Sequence, residues 1–308
     1  MHRELIVPPE SAGHRLDRWL CAQRPGLGRA EARRLIDAGE VRVNGRRAAA
    51  GSRLASGDRV ALSERAEAAA TGAGPAPARA EPELPLRVCY EDAHLVAVDK
   101  PAGMPCHPLR AGELGTLAGA LLARYPEMAE VGYSPAEPGL VHRLDNDTSG
   151  LVLAARDAAT FAALRAALER EAIDKRYLAL CAGRPPVPSE QHAWLLARGP
   201  RVRVRSEPFD AATAIRTELL AATTRGAYSL VSVRVHRARR HQIRAHLAAL
   251  GHPIVGDARY GGPELPGLAR HFLHASEIEL RHPHVGNLLQ LKAELAPELS
   301  AVWAGMDA

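Results

Sequence analysis

The sequence predicts an α+β fold: a large domain on a mixed or antiparallel sheet, preceded by a small α/β domain. Three observations lead there. Apolar residues fill 46% of the 308 positions, enough for a core larger than a minimal domain needs. Strand-like segments arrive in groups with helical segments spaced irregularly among them, which argues against a strict strand-helix-strand repeat. Residues 64–84, ERAEAAATGAGPAPARAEPEL, hold Ala, Gly, Pro and charges with little to bury, the composition of a linker. The expected division is therefore a first domain at 1–63 with its core at 14–62, a linker at 64–84, and a second domain at 85–308.

The elements follow in order. In RLDRWLCA the residues Leu16, Trp19 and Leu20 fall on one side of a helix, and in RAEARRLIDAG Ala32, Leu35 and Ile36 do the same before Gly39 as a stop. VRV, the turn pair Asn44-Gly45 and GDRVAL read as short strands. Beyond the linker, LRVCY and HLVAVDKPAG read as strands, TLAGALLARY as a helix and GLVLAAR as a buried strand. DAATFAALRAALERE is a helix capped by Asp157, and KRYLALCAG and YSLVSVRVH are strands. RRHQIRAHLAALG is a helix with Ile243, Leu247 and Leu250 on one face and Gly251 as its stop, and NLLQLKAEL closes as a strand.

Charge and composition narrow the function. Residues 14–62 carry eleven Arg against five Asp and Glu, while the whole chain carries +5, so the basic character is concentrated in the first domain. That asymmetry suits a polyanion-binding module on a nearly neutral body. Arg29 and Arg33 stand four apart on the second helix, and Arg34, Arg42, Arg46 and Arg47 lie near them in sequence. A cluster of guanidinium forks matches phosphate oxygens. The start MHRELIVPPE interrupts the apolar run a secretory signal needs, and no window approaches a membrane span, so a cytoplasmic protein with no membrane partner is expected. Cys21, Cys89, Cys106 and Cys181 lie far apart and read as idle thiols. His271 with His274 and His282 with His284 lack a carboxylate in zinc spacing, and GAGPAP lacks a phosphate-loop Lys, so neither metal nor nucleotide cofactor is expected.

VHRLDNDTSGLVL, residues 141–153, repeats the HRLD of residues 14–17. Asp145 sits where an apolar segment gives way to a loop, and such loops are where scaffolds hold reactive groups. Taken alone, Asp145 and Asp147 are better explained as turn formers. Their i, i+2 spacing sends them to opposite faces of an extended chain, which argues against a glycosidase carboxylate pair. Ser149 lacks the Gly-x-Ser-x-Gly context of a hydrolase elbow.

A stretch of about fifty residues within 14–62, ending in VNG and GDRV, resembles the alpha-L RNA-binding domain named after a small-subunit ribosomal protein. In that likeness the first HRLD is scaffold, with Leu16 buried and Asp17 starting a helix. From about residue 85 to the end, DKPAGMPCHP, GLVHRLDNDTSGLVL, KRYLAL, RRHQIRAHLAALGHPIVGDARYG and HASEIELRHPHVG occur in this order and together resemble the RluA-type family of RNA pseudouridine synthases. The resemblance implies an isomerase that detaches uracil from its sugar at ring nitrogen 1, turns it and rejoins it through carbon 5, with no cofactor. It implies Asp145 as the essential carboxylate, either attacking the anomeric carbon or removing a sugar proton to give a glycal. Tyr177 would stack under the base and assist proton removal from carbon 5, and Arg244 would pair with Asp145 and orient it. Arg143 would fill the space a flipped uridine leaves. His142, Thr148 and Ser149, which brace the catalytic loop, join Arg143, His241 and Gln242 in the implied substrate-binding set.

Two positions depart from the family pattern, Asn146 where many relatives carry Arg and Ala238 where many carry Gly, and these affect loop shape and substrate contacts more than reaction class. The implied partner is RNA, with large-subunit ribosomal RNA ahead of transfer RNA, for a monomer that requires no protein partner. The rival reading, a non-catalytic RNA-binding or ribosome-assembly factor, is opposed by the presence of Asp145, Tyr177 and Arg244 together.

Overall fold

The computed structural model describes residues 3–24, 27–64, 66–67, 77–109, 112–197, 201–209 and 213–306. The chain forms two compact units, a first built on Met1–Pro77 and a second on Ala78–Pro108 and Gly112–Ala308. In the first, helices α1 (Leu16–Gln23) and α2 (Arg29–Ala38) accompany a four-stranded antiparallel sheet. Its strands are β1 (Arg3–Ile6), β2 (Val41–Val43), β3 (Arg46–Arg47) and β4 (Arg59–Leu62), in the order β1-β4-β2-β3. The apolar helical positions named above are those that bury: Leu16, Trp19, Leu20, Ala32, Leu35 and Ile36 pack with Val41, Val60 and Leu62. Asn44 at φ 49° and Gly45 at φ 74° turn β2 into β3, the left-handed pair that a two-residue hairpin requires.

The expected linker is only partly open chain. Ala66 is buried in the core of the first unit, Ala78 in a core of the second, and the Glu81 carboxylate accepts the Gly115 and Thr116 amides ahead of a helix. Residues 65 and 68–76 lie outside the described residues.

The second unit is a ten-stranded sheet in the order β10-β9-β11-β12-β8-β13-β7-β6-β5, with β14 also paired to β13. The strands are β5 (Arg87–Glu91), β6 (Leu95–Lys100), β7 (Ser149–Ala155), β8 (Asp174–Ala182), β9 (Ser189–Ala197), β10 (Val202–Arg205), β11 (Thr213–Arg225), β12 (Tyr228–Val235), β13 (Leu273–Arg281) and β14 (Leu288–Lys292). Every pairing is antiparallel except β7 with β13, so the sheet is mixed as expected. The helices are α3 (Leu117–Arg124), α4 (Ala158–Glu169), α5 (Gln242–Ala249) and α6 (Pro297–Ala304).

All seven residues of β7 are buried because helices cover both its faces, which is why it reads as an unbroken apolar run. Val152 and Ala154 pack with Leu117 and Leu121 of α3, whereas Leu151, Leu153 and Ala155 pack with Leu164 and Leu168 of α4. Gly150, the second residue of this strand, has φ 110°, and a Cβ there would run into the Ala275 carbonyl of the parallel neighbour. A third core joins Tyr177, Ala179, Val231 and Val233 to Ile243 and Leu247 of α5. The chain before β7, residues 141–148, thus emerges between two helix-backed cores, with Leu144 packed against both the α3 and the α5 side.

Candidate active site

The two copies of HRLD are put to opposite uses. Asp17 is fully enclosed: its carboxylate accepts from Arg15 at 3.1 Å and from Arg33 at 2.9 Å, and it holds α1 to α2 within the first unit. Asp145 keeps 21% of its side chain exposed at the end of a loop that is tied down at almost every residue. Lys100, wholly buried at the end of β6, donates to the carbonyls of Pro101, Met104 and Asn146 at 2.8, 2.8 and 2.9 Å. The Asn146 carbonyl also takes the Gly103 amide, so the DKPAG turn and the loop that carries Asp145 share an acceptor. The Leu144 amide donates to the Cys106 Sγ, and Arg270 donates to the carbonyl of Asp147. Burial lowers the Lys100 pKa to about 8, a cost borne to satisfy three inward carbonyls.

Arg244, projecting from the first turn of α5, meets Asp145 through Nη1 at 2.8 Å. Its remaining fork is occupied by Asp257, whose two oxygens accept from Nε at 2.6 Å and Nη2 at 2.9 Å. A planar guanidinium held in this bidentate way has one direction left, and that direction is the Asp145 carboxylate. Burial would lower the Arg244 pKa, but the hydrogen bonds to Asp257 and Asp145 and their charges raise it, so the cation is permanent. The Tyr260 ring lies beside the same guanidinium, 5.4 Å from its centre, and His241 sits at the helix entry with a left-handed φ of 55°. His241 exchanges a hydrogen bond with Tyr260 at 2.9 Å and places Nε2 3.8 Å from the Asp145 carboxylate. Asp257 and Tyr260 come from GDARYG and Lys100 from DKPAG, fragments that the sequence marks as motif without giving them roles.

Tyr177 is 5% exposed on β8. Burial, then the charge of Asp145, pushes its phenol well above the ordinary tyrosine range, so it is protonated near neutrality and close enough to feel the carboxylate. Arg143 is 62% exposed and reaches Glu137 at 3.6 Å, which leaves it open to solvent beside the loop.

Four of the residues assigned to substrate contact are spent on the protein itself. Gln242 is buried, with its amide nitrogen donating to the Arg216 carbonyl and Thr217 and its oxygen accepting the Arg239 amide. His142 accepts the Leu153 amide, and burial pushes its pKa to about 3, so it is neutral. Thr148 bonds His271 at 2.8 Å, and Ser149 bonds His274 at 2.9 Å and Arg270 at 2.9 Å. Burial and the Arg244 charge push His271 to about 4. HFLH is therefore a brace for the TS dipeptide; His142, Thr148 and Ser149 hold the loop that carries Asp145, whereas Gln242 ties the start of α5 to β11.

In the first unit Arg34, Arg42, Arg46 and Arg47 are exposed, Arg34 pairing with Glu31 and Arg47 donating to the Ala38 carbonyl. Arg33 is drawn into the Asp17 pair, which removes part of its capacity for phosphate. The Arg29 side chain lies outside the described residues. Among the described residues one group offers three possible metal ligands within 4.8 Å of one another: His94, Asp157 and His284. It sits by Ala155, at the opposite end of β7 from the loop that carries Asp145. Its ligand atoms are already engaged, since Asp157 caps α4 through Thr160 and His94, and His284 bonds Thr160. The His94 and His284 rings stack at 3.7 Å.

Both units of the chain resemble known proteins. The family profile described as RNA pseudouridylate synthase matches residues 94–249, and that of the S4 domain matches residues 14–60. A Chloroflexus aurantiacus protein described as an uncharacterized RNA pseudouridine synthase is 40% identical over 310 residues, covering 97% of this chain and 92% of its own. The ribosomal large subunit pseudouridine synthase D of Xanthomonas campestris pv. campestris is 34% identical, covering 99% and 92%. Among solved structures, human RNA pseudouridylate synthase domain containing 4 shares the fold at a TM-score of 0.55 and 21% identity, over 71% of this chain and 92% of that one. With a constrained carboxylate–guanidinium pair inside the matched segment and near full-length relatives on both sides of it, the chain belongs to the RNA pseudouridylate synthase family, isomerases acting on RNA, and carries an S4 domain at its N-terminal side.

Proposed function

We propose that the protein isomerises specific uridines of large-subunit ribosomal RNA, with Asp145 as the essential carboxylate. The observation that carries the reading is the Asp145–Arg244–Asp257 chain, in which one carboxylate is held partly open to solvent by a guanidinium that a second, buried carboxylate has already fixed. The ribosomal substrate follows the names of the synthase D relatives from Xanthomonas campestris pv. campestris and Nitrosomonas europaea.

The reaction breaks the bond from C1′ to N1, forms one from C1′ to C5, releases the C5 proton and returns a proton to N1. Atoms and electrons balance within the nucleotide, so no oxidant, reductant or group carrier enters. Asp145 acts on the ribose, either at the anomeric carbon or by taking a sugar proton to give a glycal, and both courses need an anion held against the sugar. Arg244 and its fixed fork supply that placement without reorganisation during the reaction. Tyr177 offers an aromatic face for the loose uracil while it turns. Its raised phenol begins protonated, and Tyr177 assists proton removal from C5 after glycosidic cleavage. Arg143, open to solvent beside the loop, occupies the gap left by the flipped base.

The first unit anchors structured RNA through Arg34, Arg42, Arg46 and Arg47, with Arg29 and the residual capacity of Arg33 added to them. The protein works as a monomer in the cytoplasm, where Cys21, Cys89, Cys106 and Cys181 stay reduced. The test maps pseudouridine across ribosomal and transfer RNA from cells lacking the protein, complemented with the intact chain or with Asp145→Asn. Loss of particular large-subunit sites that only the intact chain restores is expected. Restoration by Asp145→Asn refutes the catalytic role, and loss confined to transfer RNA refutes the ribosomal address.

A further inference from the structure

Strand β10 lies at one edge of the ten-stranded sheet, and its two faces differ in kind. Inward, Val202 and Val204 pack with Ala193, Leu195, Ile215 and Tyr260, and with Ala245, the helical neighbour of Arg244. Outward, Arg201, Arg203 and Arg205 are exposed. The guanidiniums of Arg203 and Arg205 lie 5.9 and 5.7 Å from the centre of the Phe209 ring, and Trp194 stands directly opposite Arg205 in the β9–β10 register, on the same face. Residues 201–209 hold three Arg against one Glu, and among the described residues no carboxylate pairs with these three. Arginine on an edge strand also discourages strand addition. That role needs neither the aromatic rings nor the connection inward. The Val202 amide donates to the Tyr260 hydroxyl at 2.8 Å, Tyr260 bonds His241 at 2.9 Å, and His241 lies 3.8 Å from Asp145.

We propose that the β9–β10 hairpin is an RNA-docking arm of the catalytic unit, in which Arg201, Arg203 and Arg205 take phosphates of the strand next to the target uridine and Phe209 and Trp194 offer stacking faces to its bases. The inference rests on the chain being an RNA pseudouridine synthase and adds where its own catalytic unit grips the substrate. Alternating arginines along an extended strand match a phosphate backbone, and interleaved aromatic rings accept unpaired bases regardless of sequence. Because the arm is bonded to Tyr260, a strand docked on it is registered against the carboxylate.

The test uses the full chain with Arg201, Arg203 and Arg205 all changed to Gln, with RNA binding measured in an Asp145→Asn background so that turnover does not intervene. Three lost contacts to single-stranded phosphates lower the slope of log affinity against log salt by about two. The catalytically intact triple variant should show KM for RNA raised about tenfold or more, with kcat falling by less than about threefold. Tyr260→Phe, which keeps every arginine, should do the reverse: unchanged salt slope and lowered kcat. An unchanged slope and KM in the triple variant, with its melting temperature preserved, overturns the proposal and leaves the arginines as edge protection. A parent chain that forms no pseudouridine in the same tubes overturns the functional assignment, and this inference with it.

Discussion

Asp257→Asn isolates the part of the site that no substrate touches. The substitution keeps shape and one acceptor but turns the other oxygen into a donor, so one of the two charge-assisted bonds to Arg244, at 2.6 and 2.9 Å, is lost. A hydrogen bond to a charged group contributes about 1.5–3 kcal/mol, and the site is buried enough for that range to apply. For a unit the size of the second, each kcal/mol moves the melting temperature by about 2–4 °C, so a drop of about 3–12 °C is expected in differential scanning calorimetry. Arg244 then gains freedom to rotate, and a displacement of the order of 1 Å at Asp145 costs about a hundredfold in kcat. KM for RNA should change little, since Asp257 faces no solvent.

The pH dependence follows from the direction of the Asp257 shift. Burial would raise its pKa, but hydrogen bonding and charge from Arg244 bring it below the ordinary carboxylate value. A carboxyl lowered on folding adds stability above its unfolded pKa of about 3.9 and loses it as pH falls through the folded value. The stability gap between parent and variant should therefore be constant from pH 6 to 8 and close below about pH 4. Parental kcat together with parental melting would refute the bridge, and a gap that widens in acid would refute its electrostatic origin.

Other consequences can be checked in the same way. Lys100→Met takes the ammonium donor from the carbonyls of Pro101, Met104 and Asn146, of which Asn146 keeps another partner, the Gly103 amide. The cost is about 1–3 kcal/mol for the buried Met104 carbonyl and less for the others, and hydrogen exchange should show residues 101–106 and 141–148 loosening together. Because the Lys100 pKa falls from 10.5 to about 8 on folding, the parent alone should gain stability from this group as pH rises from about 8 towards 10.5. Gly150→Ala puts a Cβ into the Ala275 backbone at a positive φ and should cost about 2–6 kcal/mol, read as loss of soluble yield or of the calorimetric transition. Removing residues 1–63 should weaken RNA binding and flatten its salt slope, and an unchanged slope would reject an anchoring role for the arginine-rich unit.

What the sequence made legible and what it hid divide along a physical line. Segments whose burial is one-sided or complete were readable: α1, α2, β6, β7, α4 and α5 all appear where their periodicity and stops put them, because a local pattern decided them. The sequence does not predict strands β9, β10, β11 and β13, although HASEIELRHPHVG, which overlaps β13, belongs to the motif set. SEQHAWLLA and TAIRTELLAATTR mix Ala, Leu, Glu and Gln, good helix formers, and become strands through the partners they pair with. Helix α6 is not predicted either, although its leading Pro297 is a normal helix opener.

The site follows the same division. Motif order points to Asp145, Tyr177 and Arg244, but nothing local says that Asp257 holds Arg244, or that Lys100 and Cys106 hold the loop, since those bonds join residues 13, 46 and 38 positions apart. The repeated HRLD shows why a motif needs its surroundings. Both carboxylates are held by arginine, yet Asp17 meets two arginines in full enclosure and is spent on joining helices, whereas Asp145 meets one arginine that a second carboxylate has already restrained. An aspartate whose every oxygen is claimed and shielded has no face left for a sugar. One that retains a fifth of its surface, in a loop held by Lys100, Cys106 and Arg270, keeps a face open, as the proposed ribose chemistry requires.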